Sequence, residues 1–172
     1  MLTDGPLILR RWREADAPTI VDCLDGDPEI SRWLDRVPQP YTLADALAYV
    51  RGEVPGVDQD TFAITDADDR VLGSIGATSP ERGVREIGYW LRADARGRGT
   101  ATRTLTLIVA WAFEQPDVAR IQLRADPENA ASCRVAERAG FTREGVLRHA
   151  HWNPRIGCRR DWAIYSVLRG ER

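Results

Sequence analysis

The sequence predicts a single α/β domain in which helices cover the faces of a mixed sheet. Its 172 residues make a domain of ordinary size, long enough to bury about 70% of the surface that its unfolded chain would expose. Hydrophobic residues make up 43% and charged residues 29% of the chain, which is typical of a globular protein. Alternating and amphipathic segments follow one another as strand, two helices, three strands, helix, strand, helix and two strands, with no repeat or linker between them. Residues 1–172 are therefore expected to form one domain.

The first third of the chain predicts one strand and short helices. Residues 6–12, "PLILRRW", alternate apolar and polar side chains as a strand does. Asp16 is expected to cap a helix that begins near Ala17. Between residues 27 and 53, prolines separate short amphipathic helices, and Thr42 is placed to cap the last of them.

The rest of the chain predicts six strands and two helices. "TFAIT", the turn "DADD" and "RVLGSIGAT" form a hairpin pattern, and residues 84–93 give the next strand. A helix is expected from about residue 100 to 113, and a buried strand over 119–126. Asn129 should cap a second helix, which Gly140 ends. "EGVLRHAHW" and "RDWAIYSVL" supply the last two strands.

Composition limits the function classes. All 24 basic residues are arginine, and 26 acidic residues bring the net charge to −2, which disfavours nucleic acid as the main partner. No apolar run reaches the roughly 18 residues of a membrane helix, and residues 1–13 lack the features of a secretory signal, so a cytoplasmic location is expected. Three separated cysteines, at positions 23, 133 and 158, indicate neither a disulfide framework nor a zinc site.

A glycine-rich turn, "DARGRGTATRTL" at residues 94–105, predicts an anion site, because backbone N–H groups at a helix start bind anions. A P-loop would require a lysine, which the chain lacks. A dinucleotide-binding fingerprint would require a third glycine where Thr102 stands. Both patterns fit poorly.

A third pattern, Gln/Arg-x-x-Gly-x-Gly/Ala, is met by Arg96, Gly97, Arg98, Gly99, Thr100 and Ala101. Successive amides in such a turn can hold a pyrophosphate without a metal. Downstream, Asn-x-x-Ser/Ala-x-x-x-x-x-x-x-Gly-Phe is met by Asn129, Ser132, Gly140 and Phe141. With these motifs the sequence resembles the GNAT superfamily of acyl-CoA-dependent N-acyltransferases over nearly its whole length. Within it, the sequence is similar to the Rim-type branch of ribosomal-protein N-terminal acetyltransferases and several small-amine acetyltransferases.

The resemblance implies a mostly antiparallel seven-stranded sheet flanked by about four helices. It also implies that the fourth and fifth strands separate, so that the pantetheine arm of acetyl-CoA lies between them and bonds the main chain at Leu91 and Ala93. A main-chain N–H near Leu91 would then stabilise the oxyanion. No metal is implied. The implied cofactor-binding residues are Leu91, Ala93, Arg96, Gly97, Arg98, Gly99, Thr100, Ala101 and Asn129.

Amine acetylation needs a group that removes a proton from the ammonium. Glu86 stands where many family members carry a glutamate base, although it could equally be a structural partner of Arg85 or Arg82. The family's usual acid is a tyrosine, but Ala136 occupies that position. Ser132 stands where Rim-type members carry a serine, and from there it could reach the CoA sulfur directly or through water. The alternative interpretation is that Ser132 only makes hydrogen bonds at the start of the helix. Tyr89 and Tyr165 are the further candidates for the general acid.

Acceptor contacts are expected, from the resemblance, in residues 27–41 and 149–160. Asp27, Glu29, Trp33 and Asp35 could attract and stack a cationic amine, or be plain loop residues. His149 and His151, two apart on a strand, are expected to face the same side. They could line the acceptor cleft, act as a base, or simply lie on the surface.

The expected function is transfer of an acetyl group from acetyl-CoA to a primary amine by direct attack in a ternary complex. A protein N-terminus, an antibiotic, an amino acid and a polyamine all remain possible acceptors, and a homodimer is plausible. Two alternatives come from other classes. One is a non-catalytic acyl-CoA sensor, which the alanine at 136 keeps open, and the other is an arginine-rich nucleic-acid binder, which the net charge disfavours.

Overall fold

Eight strands form one sheet in the computed structural model, which describes residues 1–35, 37–55 and 60–171. The strands, in chain order, are β1 (Leu2–Asp4), β2 (Leu7–Arg10), β3 (Thr61–Thr65), β4 (Val71–Thr78), β5 (Val84–Leu91), β6 (Arg120–Ala125), β7 (Thr142–Asn153) and β8 (Cys158–Leu168). They lie side by side in the order β1-β2-β3-β4-β5-β6-β8-β7. All neighbouring pairs are antiparallel except β5 and β6, so the expected mixed, mostly antiparallel sheet is confirmed.

Five α-helices accompany the sheet. They are α1 (Ala17–Asp25), α2 (Pro28–Trp33), α3 (Leu43–Val50), α4 (Thr100–Glu114) and α5 (Ala130–Arg138). Three of them lie between β2 and β3, where two were expected. Pro28 begins α2 directly after Asp27, whose side chain accepts a hydrogen bond from the Glu29 amide, so this short segment has the start signals of a helix of its own.

The strand count also differs from the expectation by one, because residues 2–4 form β1. Asp4 is paired with Leu7, so the loop between them is Gly5–Pro6, and Gly5 takes the positive φ of 57° that this tight turn requires. Arg103 of α4 donates to the Asp4 carboxylate at 2.6 Å and anchors the hairpin. A strand of three residues is too short to show periodicity in the sequence.

Helix caps are confirmed at two of the three expected positions. Thr42 accepts from the Asp45 amide and Asn129 from the Ser132 amide. The Asp16 prediction is wrong, because its carboxylate makes no capping bond in α1. It instead accepts from Arg10 at 2.8 and 2.9 Å and from the Arg13 amide at 2.8 Å. Burial would raise the pKa of Asp16, but these hydrogen bonds hold it below its usual value.

The main core lies between the sheet and helices α4 and α5. Fully buried Leu105, Ile108 and Val109 of α4 share one cluster with Ile75 and Ile121 of the sheet. Each such side chain contributes about 1.5–3 kcal/mol through burial. A second cluster joins helices α1–α3 and includes Ile20, Leu24, Ile30 and Tyr41. Helices α1–α3 are therefore stabilised by an apolar cluster that is separate from the main core.

The parallel pair of strands separates partway along its length. β5 and β6 are paired at Val84–Arg120, Arg85–Ile121 and Glu86–Gln122 only. Beyond Glu86, β5 stays paired with β4 as far as Leu91, while β6 stays paired with β8 as far as Ala125. A gap therefore opens in the sheet after Glu86, where the resemblance implied that the two strands separate.

One ion-pair cluster outside this gap predicts acid sensitivity. Arg120 donates to both oxygens of Glu144 at 2.6 Å, and Ser166 donates at 2.7 Å. These bonds lower the pKa of Glu144 from 4.5 to about 2. Since the pKa is depressed in the folded state, the stabilisation is fully present above pH 4.5 and is lost as the pH falls toward 2.

We therefore expect Glu144→Gln to lower the free energy of unfolding at pH 6 but to have a smaller effect at pH 3. The loss should be below about 1 kcal/mol, since the pair is partly exposed to solvent. Urea unfolding of both proteins at the two pH values measures it. A loss that is equal at both pH values would contradict the role given to the Glu144 charge.

No helix in residues 1–35, 37–55 and 60–171 is both long and apolar enough to cross a membrane.

Candidate functional site

Two cavities meet where β5 and β6 separate. The glycine-turn cavity, of about 540 Å³, lies between the start of α4, the end of β5 and the start of α5. The Glu86 cavity, of about 530 Å³, extends from the same gap toward α2, α3 and the β7–β8 hairpin. Tyr89, Trp90, Asn129 and Ser132 line both cavities. The arrangement provides two adjoining binding spaces with a shared junction.

The glycine turn begins α4 with its backbone facing open space. Gly97 and Gly99 have φ of 72° and 79°, and a Cβ at either position would meet no atom within 4 Å. The glycines are therefore required by backbone conformation and not by crowding within the protein. Arg103 is the first residue whose amide bonds back into the helix, to Gly99 O. The amides of residues 100–102 are thus available to an anion.

The end of β5 presents its main chain to the gap. The Arg92 amide donates to Leu72 O of β4 at 2.9 Å. Because successive residues of a strand point to opposite sides, the Leu91 N–H and C=O face away from β4. The Leu91 carbonyl accepts from Arg96 at 3.0 and 2.8 Å, and Arg96 also bonds Asp27. The Arg96 side chain therefore connects the glycine turn to the end of β5 and to the residue that caps α2.

Most of the expected cofactor positions come together at the glycine-turn cavity. Its lining includes Leu91, Arg96, Gly97, Gly99, Thr100, Ala101 and Asn129. Ala93 and Arg98 are not among the lining residues. β5 ends at Leu91, two residues before the expected boundary, and Ala93 lies in the 3-10 turn Ala93–Ala95. The Arg98 side chain is exposed between the two glycines.

Three further arginines line this cavity and were missed in the sequence. They are Arg32 of α2 and Arg134 and Arg138 of α5. The spacing of four between Arg134 and Arg138 places both on one face of α5, the helix that Asn129 caps, and this signal could have identified them. Free amides, arginine charge and an elongated gap fit the diphosphate and the pantetheine arm of CoA.

Hydroxyl groups occupy the junction of the two cavities. Tyr89 Oη and Ser132 Oγ are 3.0 Å apart. Burial raises the pKa of Tyr89 to about 12 although the Ser132 bond opposes this, so its hydroxyl stays protonated near neutral pH. Tyr165, the other tyrosine considered for the general acid, is 1% exposed and belongs to the core, as does Ala136. Neither lines either cavity.

Glu86 lies on the wall of the Glu86 cavity, with its side chain 18% exposed. Its carboxylate accepts from Gln122 Nε2 at 2.7 Å and pairs with Arg124. Arg85, one of the partners considered from sequence, instead bonds Gln115. Glu86 is thus a cavity-lining side chain whose arginine partner comes from β6.

His151 also lines the Glu86 cavity. Its spacing of two residues from His149 does not place both side chains on the same side of β7, as had been expected. The β7–β8 register shifts between Leu147 and His151, and His149 has a φ of 51°, so a spacing of two no longer places both residues on one side. His149 is exposed. His151 Nε2 lies 2.6 Å from Asp35 Oδ2, and its ring stacks on Trp162 at 4.6 Å.

The expected acceptor carboxylates are engaged within the protein. Asp27 caps α2 and bonds Arg96, Asp35 bonds His151, and Glu29 accepts from Trp33 at 3.4 Å. Residue 36, within the expected acceptor segment 27–41, lies outside the described residues. The described part of the chain contains no group of three or more His, Cys, Asp or Glu side chains that could hold a metal ion.

Comparisons with known proteins agree with this geometry. Residues 6–142 match the family model described as an acetyltransferase (GNAT) domain. A Bacillus subtilis protein named "Probable N-acetyltransferase YjcK" is 37% identical over 108 residues, which are 60% of this chain and 58% of that protein.

Two solved structures share the fold. The ribosomal-protein-S5-alanine acetyltransferase from Vibrio fischeri has a TM-score of 0.83 at 18% identity, over 99% of this chain and 97% of that one. The spermidine N-acetyltransferase from Vibrio cholerae, in complex with CoA and spermine, has a TM-score of 0.79 at 18% identity, over 96% and 97%. Since the family model covers most of the chain, the protein belongs to the GNAT acetyltransferase family and is an N-acetyltransferase that uses acetyl-CoA.

Proposed function

We propose that the protein acetylates a primary amine, on a small molecule or a protein N-terminus, by direct attack in a ternary complex. The observation that carries this proposal is the meeting of the two cavities at Tyr89 and Ser132. Acetyl-CoA supplies the acetyl group: the amine nitrogen bonds the carbonyl carbon, the carbon–sulfur bond breaks, and CoA leaves as the thiol with a proton that the attacking nitrogen releases. The glycine-turn cavity can hold CoA, and the Glu86 cavity can hold the amine beside it.

In this proposal the amides at the start of α4 bind the diphosphate, and the main chain at Leu91 binds the pantetheine arm. Asn129 also bonds that arm while it caps α5. Arg96 acts through its side chain as a positioning residue, because its bonds to Leu91 and Asp27 hold the turn in place. Ala93 and Arg98 are the weaker members of the proposed set, since neither lines the cavity.

Glu86 is proposed as the general base. Although both carboxylate oxygens accept hydrogen bonds, each retains a further lone pair for the amine or for a bridging water. Ser132, assisted by Tyr89, is proposed to donate a hydrogen bond to the departing sulfur. The Leu91 N–H, which faces the gap, is proposed to stabilise the oxyanion.

Thermal unfolding with acetyl-CoA tests the first half of this proposal. A ligand at 100 times its Kd stabilises the folded state by about 2.7 kcal/mol, so the Tm should rise by about 5 to 11 °C. CoA should act similarly, while ATP and NAD should not. Thiol release on addition of an amine tests the second half. No shift with acetyl-CoA or CoA would contradict the proposed cofactor site, and binding without thiol release would favour an acyl-CoA sensor.

A cytoplasmic homodimer is proposed as the working form. The three cysteines are free thiols, which agrees with a reducing compartment. β7 is an edge strand of 12 residues, and Val146, Leu147 and Trp152 on it are 39%, 52% and 54% exposed. Such an edge favours pairing with a second chain. Light scattering that gives the monomer mass of 19.3 kDa would exclude the dimer.

A further inference from the structure

The Glu86 cavity is lined by equal numbers of negatively and positively charged side chains. Among the described residues they are the carboxylates Asp35, Glu86 and Asp126 and the guanidinium groups of Arg32, Arg124 and Arg160. Glu86 pairs with Arg124, and Asp126 accepts from Arg160 at 2.7 Å. Asp35 bonds His151 at 2.6 Å. Each lining carboxylate therefore already has a partner in the protein.

The remaining wall is largely aromatic. Trp33, Tyr41, Tyr49, Tyr89, Trp90 and Trp162 line the cavity. Tyr49 Oη bonds Ser74 Oγ at 2.8 Å, and burial raises the pKa of Tyr41 and Tyr49, so both stay neutral. Arg124 lies 3.9 Å from the centre of the Trp162 ring, on which His151 also stacks. These contacts hold the paired groups in fixed positions along the wall.

We infer that the Glu86 cavity selects a primary amine whose body is aromatic or apolar and which carries no second cationic group, an inference that rests on the proposed function. A second ammonium in this cavity would lose its hydration without meeting an unpaired carboxylate. An aromatic body would instead replace water against the tryptophan and tyrosine rings. Polyamines and other polycations are thereby disfavoured as acceptors.

The test compares two primary amines of similar length, 2-phenylethylamine and 1,5-diaminopentane. Thiol release at saturating acetyl-CoA gives kcat/KM for each, and the ratio of the two values measures selectivity. We expect the aromatic monoamine to be favoured by about tenfold or more, since an unpaired charge is costly to bury. A ratio below one would overturn the inference while leaving the acetyltransferase activity established. No thiol release with 2-phenylethylamine, while a primary amine with a polar body does release thiol, would overturn the inference alone. No thiol release with any primary amine or N-terminal peptide offered, despite tight binding of acetyl-CoA, would contradict the proposed function itself.

Matched variants test the electrostatic cause. Arg124→Gln leaves the Glu86 carboxylate without its cation, so the ratio should shift about tenfold toward the diamine. Arg160→Gln should shift it in the same direction by freeing Asp126, so the result does not depend on the folding of one variant. Arg51→Gln is the control, because Arg51 also pairs with a glutamate, Glu14, but both residues lie outside the two cavities. Using a ratio cancels any change that affects both amines equally, and an unchanged ratio in both cavity variants would overturn the inference.

Discussion

Glu86→Gln is expected to lower kcat for thiol release by about 100-fold or more, the usual contribution of a general base. The Kd for acetyl-CoA should not change, because Glu86 lines the Glu86 cavity, where the amine is proposed to bind, and not the glycine-turn cavity. Glutamine has nearly the shape of glutamate and can still bond Gln122, but it cannot accept the proton of an ammonium. Steady-state kinetics and calorimetric titration of acetyl-CoA measure the two quantities separately.

Glu144→Gln is the matched control for this substitution. Glu144 is also a glutamate in the sheet that is paired with an arginine of β6, but it lines neither cavity. Its substitution should change stability at most slightly and should leave kcat unchanged. Equal kcat in the wild type and the Glu86 variant would remove Glu86 from the mechanism and make its bonds to Gln122 and Arg124 purely structural.

Gly99→Ala is expected to weaken acetyl-CoA binding by about 100-fold, the equivalent of roughly 2.7 kcal/mol. The substitution has two separate effects, of which the first lowers folding stability and the second weakens binding. The left-handed φ of 79° costs a residue with a Cβ about 1–2 kcal/mol. The added methyl group would also occupy part of the open space at the glycine turn, which lines the cavity where the diphosphate is proposed to lie. Calorimetric titration of acetyl-CoA gives the Kd.

Gly157→Ala separates the effect on stability from the effect on binding. Gly157 has a φ of 64° and likewise has no atom within 4 Å of an added Cβ, but it lies in the turn between β7 and β8, outside both cavities. Both variants should lose similar stability, and only the Gly99 variant should lose affinity. If acetyl-CoA bound equally well to both, the glycine turn would not be the anion site.

The glycine turn and the cap of α5 were predictable because they depend on local sequence. A helix start needs particular residues within a few positions of one another, so Gly97, Gly99 and Asn129 carry their signal in the sequence itself. The resemblance to the GNAT superfamily added the separation of the two strands, which periodicity could not have shown. By contrast, β1, with three residues, was too short to be recognised by its periodicity.

The partners of Glu86, Asp35 and Asp27 were not predictable. Asp27 and Arg96 are 69 positions apart, and Asp35 and His151 are 116 apart. Such pairs form only when the sheet order and the register of β7 and β8 bring distant segments together. The bulge before His151 is likewise a property of strand pairing. Because of it, His149 and His151 do not face the same side of the strand, although their spacing predicted that they would.

The sequence by itself determined the fold class and the identity of the residues that could bind a diphosphate, while the resemblance to the GNAT superfamily implied that the ligand is an acyl-CoA. These follow from short-range backbone preferences, which a few neighbouring residues decide. Only the tertiary structure decided which carboxylates are paired, which tyrosine reaches Ser132 and how charge is balanced around Glu86. Those features depend on contacts between distant segments, whose geometry is set by the packing of the whole sheet and its helices.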